Sequence, residues 1–332
     1  MTFKSGLYGT LMAVAAFTAS AVVATTALAQ TTDYPSKAVR VIVPVPAGGA
    51  ADMMARMVAA HLQTKLGKPF IVDNRPGAGS SLGMDLVAKA APDGYTIGLG
   101  NIAANAINPA VSPGVFPYQP VKDFAAISMV GATPLILVVN ADKVPARTLP
   151  DFINFLKANP GKLSYGSSGV GSSLHLGMEL MLLRTGTKMV HIPYKGSAPM
   201  VAELIAGQTE ASMDAATTSM PHVQTGKLRA LGVSSKERAF FAPDVPPIAD
   251  VIPGFNVQPW HGMMAPAGTP QAIVNKLSEE IQAFLRTPDA EAKLRAAGVV
   301  RIGSSARDFA QAMDEEFETY KKVVKDAGIK PD

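Results

Sequence analysis

Short β-branched runs alternate with amphipathic helical patterns from Val39 almost to the C-terminus, and this alternation restricts the fold more than any other feature. Strand-like runs fall at residues 39–45, 70–72, 95–99, 127–130, 135–139, 163–165, 189–194, 211–214, 228–233 and 260–265. Helical patterns fall between them and fill most of 271–324. Strands separated by helices build largely parallel sheets, so the expected class is α/β. The alternation breaks twice. Two strand-like runs follow one another across Gly131 and Pro134, and residues 240–253 turn proline-rich. These breaks predict two domains, one built from both chain ends (residues 30–130 and 250–332) and one from the middle (131–249), with a ligand cleft between them.

The most pointed local feature is the stretch 41–52, in which Val41-Ile42-Val43 is stopped by Pro44 and Pro46, crosses Gly48 and Gly49, and enters a helical pattern. Such a turn leaves backbone N–H groups aimed outward at a helix start, and glycines let a ligand approach the main chain. Ala47, Gly48, Gly49, Ala50 and Ala51 are therefore candidate anion-binding residues, set against the plainer alternative of an ordinary strand-to-helix turn.

The first 29 residues read as an export signal: Lys4, an apolar run from Leu7, and Ala27-Leu28-Ala29 as a small-residue cleavage site. Cleavage after Ala29 is expected to release the protein to the periplasm. Losing Lys4 and no acid lowers the formal charge from +4 to +3. A charge this small, with no Lys/Arg block, gives no basis for nucleic-acid binding. The chain has no cysteine, which excludes disulfides, thiolate catalysis and cysteine-ligated zinc. The histidines lack metal-ligand spacing, and neither a metal nor a cofactor is expected.

Two constellations suggest enzymes. Gly77, Gly79 and Gly83 form a dinucleotide-like run, but Arg75-Pro76 precedes them and Asn101 occupies the place of a ribose-binding acid. Glycine-rich packing is the better account. Ser167, Ser168, Ser172 and Ser173 lie close to His175, so an exported serine hydrolase is the competing class, although the surrounding residues do not form a G-x-S-x-G elbow. The same loop, with Ser167, Ser168, Gly169 and Ser172, offers hydroxyls and free amides between a strand and a helix. Two such loops, one per domain, suit a ligand with two carboxylates. Asp214, ending a strand, would order one of these loops, meet a ligand hydroxyl or amino group, or simply cap a helix.

Seven blocks carry a resemblance to a known family. They are residues 43–52 with Arg56, Asp73-Asn74-Arg75-Pro76-Gly77-Ala78-Gly79, Pro92-Asp93-Gly94-Tyr95-Thr96, Tyr165-Gly166-Ser167-Ser168-Gly169, His191-Ile192-Pro193-Tyr194-Lys195-Gly196, Gly226-Lys227-Leu228-Arg229-Ala230-Leu231 and Ala265-Pro266-Ala267-Gly268-Thr269-Pro270. In this order the chain resembles the substrate-binding receptors of tripartite tricarboxylate transporters, the Bug receptors. The resemblance implies a two-domain type II periplasmic binding fold that closes on a small organic acid and delivers it, as a monomer without enzymatic activity, to membrane permease subunits. It also implies that main-chain amides and ordered water at Ala47–Ala51 hold one carboxylate, while Ser167–Ser173 meet the rest of the ligand. Val45 and Ala47 stand where the family commonly has an aromatic residue and a proline, so the pocket there is expected to differ in width.

Overall fold

The computed structural model describes residues 34–330, and the expected leader, residues 1–29, lies outside the described residues. In chain order the elements are β1 (Val39–Val43), α1 (Ala50–Leu66), β2 (Phe70–Asn74), α2 (Ser81–Ala88), β3 (Thr96–Asn101), a π-helical turn (Ala103–Ile107), α3 (Asn108–Val111), β4 (Phe124–Ala132) and β5 (Leu135–Asn140). Then follow α4 (Leu149–Ala158), β6 (Ser164–Ser167), α5 (Ser173–Thr185), β7 (Val190–Pro193), α6 (Ser197–Ile205), β8 (Ala211–Ala215), α7 (Ala216–Gln224) and β9 (Leu228–Val233). The chain closes with β10 (Trp260–Pro266), α8 (Gln271–Leu285), α9 (Pro288–Ala296), β11 (Val300–Arg301) and α10 (Ala306–Ala327). None of these helices is long and apolar enough to cross a membrane.

Two mixed sheets result, each flanked by helices. One has the order β11-β4-β10-β3-β1-β2 and the other β7-β6-β8-β5-β9. β1 runs parallel to β2 and β3, and β6 runs parallel to β7 and β8, so the connections leaving β1 and β6 emerge at carboxyl ends of parallel strands. Ligand sites of open α/β sheets favour that edge. β1 stops at Val43 because Pro44 and Pro46 have no N–H to give the ladder. α1 ends at Gly67, whose left-handed φ of 70° returns its N–H to Gln63 O.

The chain passes from the first sheet to the second in two residues, Thr133 and Pro134, and returns through residues 234–259. The two crossings lie side by side. Thr133 N donates to Pro259 O at 2.9 Å, Ser234 N donates to Leu135 O at 2.8 Å, and Leu135 N donates to Ser234 Oγ at 2.7 Å. α10 packs against both β4 and α5, spanning the two sheets. It sits so close to β10 that a Cβ on Gly262 would meet Phe309 Cζ at 2.2 Å, which only glycine avoids.

Apolar packing follows the same plan. Val41, Val43, Met54, Val58, Leu62, Met263 and Leu277 fill the layer between the first sheet and α1 and α8. A second cluster runs without interruption from Ile42 and Met84 through Phe309 and Met313 to Leu137 and Tyr165. The two sheets are therefore joined by a shared apolar layer as well as by the crossings.

Candidate functional site

The connection after β1 presents its main chain to solvent: Pro46, Ala47, Gly48 and Gly49 are exposed, and Ala50 is half-buried. Gly49 occupies the N-cap position of α1 in extended conformation and supplies no side chain to it. The first-turn amides of a helix have no partner within the helix, so those of Ala50 and Ala51 remain available. Gly48, with φ at 97°, turns its own amide inward to Asp52 Oδ2 at 3.0 Å.

Asp52 organises this loop from below. It is 4 % exposed, and the Oδ2 that takes Gly48 also takes Arg56 Nε at 2.9 Å. Its Oδ1 accepts Asn74 Nδ2 at 2.9 Å, and the same Asn74 amide reaches Val45 O at 3.0 Å. Arg56 closes the ring on Asn74 Oδ1 at 3.0 Å. The Arg56 hydrogen bond, outweighing burial and aided by the Gly48 amide, holds the Asp52 carboxyl down at about 2. The loop is thus anchored by a charged, buried hub while its remaining amides face outward.

The connection after β6 is built differently. Ser167 is fully buried, with Oγ 2.7 Å from His191 Nε2 and bonded to both the amide and the carbonyl of Gly169. Ser172 caps α5 by accepting His175 N at 3.2 Å, while the ring Nδ1 of His175 accepts Gly171 N at 3.1 Å. The His175 and His191 rings stack at 3.8 Å, and His191 stacks in turn on Tyr165 at 5.0 Å. Burial, reinforced by His191, pushes the His175 pKa down to about 3, so the ring is neutral and can act as an acceptor. Ser168, Gly169 and Ser172 are half-buried around this stack.

Asp214, the penultimate residue of β8, is fully buried and lies one strand from Ser167. It accepts the Ser197 hydroxyl at the start of α6 and the Ser219 hydroxyl of α7 at 2.6 Å. Burial raises its pKa against the opposing pull of these hydroxyls and of the Ala215 amide. It therefore ties two helix starts together instead of ordering the Ser167–Ser173 loop, and Ala215, not Asp214, is the N-cap of α7.

The sequence-predicted residues fall into two groups, Ala47–Ala51 on the first sheet and Ser167, Ser168, Gly169, Ser172 and Asp214 on the second. Close approaches at two glycines join the halves. A Cβ on Gly171 would lie 3.5 Å from the Val111 side chain of α3, and one on Gly298 would lie 3.2 Å from the Thr217 methyl of α7. The residues that sequence reasoning missed as site residues are Asp52, Asn74, Arg56 and His191. Arg56 stands one helical turn after Asp52 and could have been paired with it; Asn74 and His191 join through long-range contacts that carry no local signal.

The serine hydrolase alternative is not supported by this geometry. His175 spends Nδ1 on a backbone amide and Ser172 spends Oγ on a helix cap, so neither forms the nucleophile–base pair that the reading required. No cluster among the described residues is placed to hold a metal ion. A cavity of about 580 Å³ between α8 and the start of α10 involves neither loop.

Comparison with known proteins agrees with the fold. Residues 54–329 match the tripartite tricarboxylate transporter family receptor model. BugT of Bordetella pertussis is 36 % identical over 322 residues, covering 96 % of this chain and 98 % of its own. A solved periplasmic transporter is 42 % identical with a TM-score of 0.70, covering 90 % of this chain and all of its own. An R. palustris protein solved with adipate is 34 % identical with a TM-score of 0.70, over 90 % of this chain and 99 % of its own. With identity at this level along nearly the whole length, the chain belongs to the tripartite tricarboxylate transporter receptor family, and it is a solute-binding receptor rather than an enzyme.

Proposed function

We propose that this receptor captures a small organic carboxylate in the periplasm, between a domain of residues 30–130 and 250–332 and a domain of residues 131–249, and hands it to a tripartite tricarboxylate-type permease. The ligand class is a di- or tricarboxylate, an acidic amino acid or an aromatic acid. Export with cleavage after Ala29 and action as a monomer belong to the same reading. The observation that carries it is the start of α1, where Asp52 fixes the loop while the amides of Ala50 and Ala51 stay available at the positive end of a 17-residue helix. On the other side, the half-buried Ser168, Gly169 and Ser172 form the second wall, with the buried Ser167 and Asp214 supporting it from behind. The relative solved with adipate supports a carboxylate of this size.

The test is titration calorimetry of the mature protein, stripped of carried-over ligand, against mono-, di- and tricarboxylates, acidic amino acids and aromatic acids. Saturable one-to-one binding to at least one of them is expected. Absence of binding across the panel would overturn the reading.

A further inference from the structure

His261 is a polar residue of the first sheet, in β10. It stands near the start of β10, in register with Asn101 at the carboxyl end of β3 on one side and with Gly131 of β4 on the other. Its neighbours Trp260 and Gly262 both face Phe309 of α10, Trp260 by a T-shaped ring contact and Gly262 by close approach. Strand alternation turns the His261 side chain to the opposite face, the one covered by α1.

The surroundings on that face come from both halves of the protein. A Cβ on Gly131 would lie 3.6 Å from Met54 Sδ in the first turns of α1 and 2.6 Å from the Val299 side chain. Gly298, next to Val299, touches Thr217 in the first turn of α7. Gly131, the β4 partner of His261, thus sits beside Met54 of α1 and beside Val299, the residue that follows the Gly298 contact with α7. The His261 Nδ1 is shut off from solvent and has no hydrogen-bond partner among the described residues, although the residue as a whole is only half-buried. Such an orphaned polar atom is destabilising unless something satisfies it. Burial alone lowers the pKa of the ring to about 4, leaving it neutral and able to place its one N–H on Nδ1.

We infer that His261 is a specificity-determining residue whose Nδ1–H hydrogen-bonds an oxygen of the ligand carboxylate held at the start of α1. This inference rests on the carboxylate reading given above and adds a side chain to a site otherwise built from backbone. A neutral imidazole contributes direction without charge, so it would discriminate among acids by where their oxygens fall.

The experiment compares wild-type protein with His261→Leu, His261→Asn and His261→Gln by calorimetry, using succinate, glutarate, adipate and citrate as probes. The Asn amide overlies imidazole Nδ1, whereas the Gln amide overlies Nε2. For the tightest-binding acid, His261→Leu should weaken binding at least tenfold, His261→Asn should stay within about threefold of wild type, and His261→Gln should resemble His261→Leu. Binding by His261→Leu within twofold of wild type, or rescue by Gln and not by Asn, would overturn the inference while leaving the carboxylate reading intact. Failure of the wild-type protein to bind any of these acids, or the wider panel, would overturn both.

Discussion

The Gly48 amide and the Asp52 carboxylate are joined by one hydrogen bond of 3.0 Å, which turns the loop after β1 back onto the helix it leads into. Because the same carboxylate holds Arg56 and Asn74, truncating it releases three groups at once. Asp52→Ala should destabilise the fold by about 1–3 kcal/mol and weaken carboxylate binding about tenfold or more. Urea unfolding and calorimetry on the same preparation check both effects.

The charge on Asp52 makes a pH prediction. Its folded pKa lies below the ordinary carboxylate value, so its contribution to stability is present above about pH 4 and is lost as pH falls toward about 2. Asp52→Asn lacks this dependence. Thermal melts between pH 5 and pH 2.5 should show the wild-type advantage over Asp52→Asn shrinking steadily with acid.

At Gly48 the constraint is conformational and electrostatic, since a Cβ there would meet nothing within 4 Å while φ is 97°. Gly48→Ala should cost about 1–2 kcal/mol through backbone strain alone. Gly48→Asp should add a negative charge beside the open amides and abolish carboxylate binding while leaving the fold intact. Unchanged affinity in Gly48→Asp would show that this loop does not hold the acid.

Ser167 and His191 give the second loop its shape through a buried contact of 2.7 Å. Removing the hydroxyl in Ser167→Ala leaves an imidazole nitrogen and the Gly169 amide without that partner. A loss of about 1–3 kcal/mol is expected in denaturant unfolding, together with weaker ligand binding from a loosened loop.

The contact between Trp260 Nε1 and Glu316 carries a prediction of opposite sign. Burial raises the Glu316 pKa to about 7, above its unfolded value, so the stability it contributes is full below about pH 4.5 and is lost as pH rises through 7. Glu316→Gln, which keeps an acceptor for the indole, should gain on the wild type from pH 4.5 to pH 8. The melting temperatures of the two proteins at those limits test it.

Much of this was legible from the residues in order. Alternating apolar runs located the strands because burial on both faces demands them, and Gly67 marked the end of α1 because only glycine takes its conformation cheaply. Strand ends were less so. β1 ends two residues short of the run 39–45 because of its prolines, whereas β3 runs on to Asn101 and passes at once into the 103–111 helical turn, which has no apolar period to announce it. At the site, the glycines and serines of the two loops stood out. Asn74 lies 29 residues from the Val45 carbonyl it holds, and His191 lies 24 residues from Ser167; only the folded sheets bring them together.

The missing side-chain cap at Gly49 has a practical outcome. A helix capped by glycine forgoes about a few tenths of a kcal/mol that serine, aspartate or asparagine would supply. An anion bound at that end would make up the difference, and a solute that binds only the folded chain raises its melting point in proportion to the logarithm of its concentration. The protein is thereby its own thermometer: a melting scan against mixed metabolites, with no label and no prior guess, should single out the solute it binds.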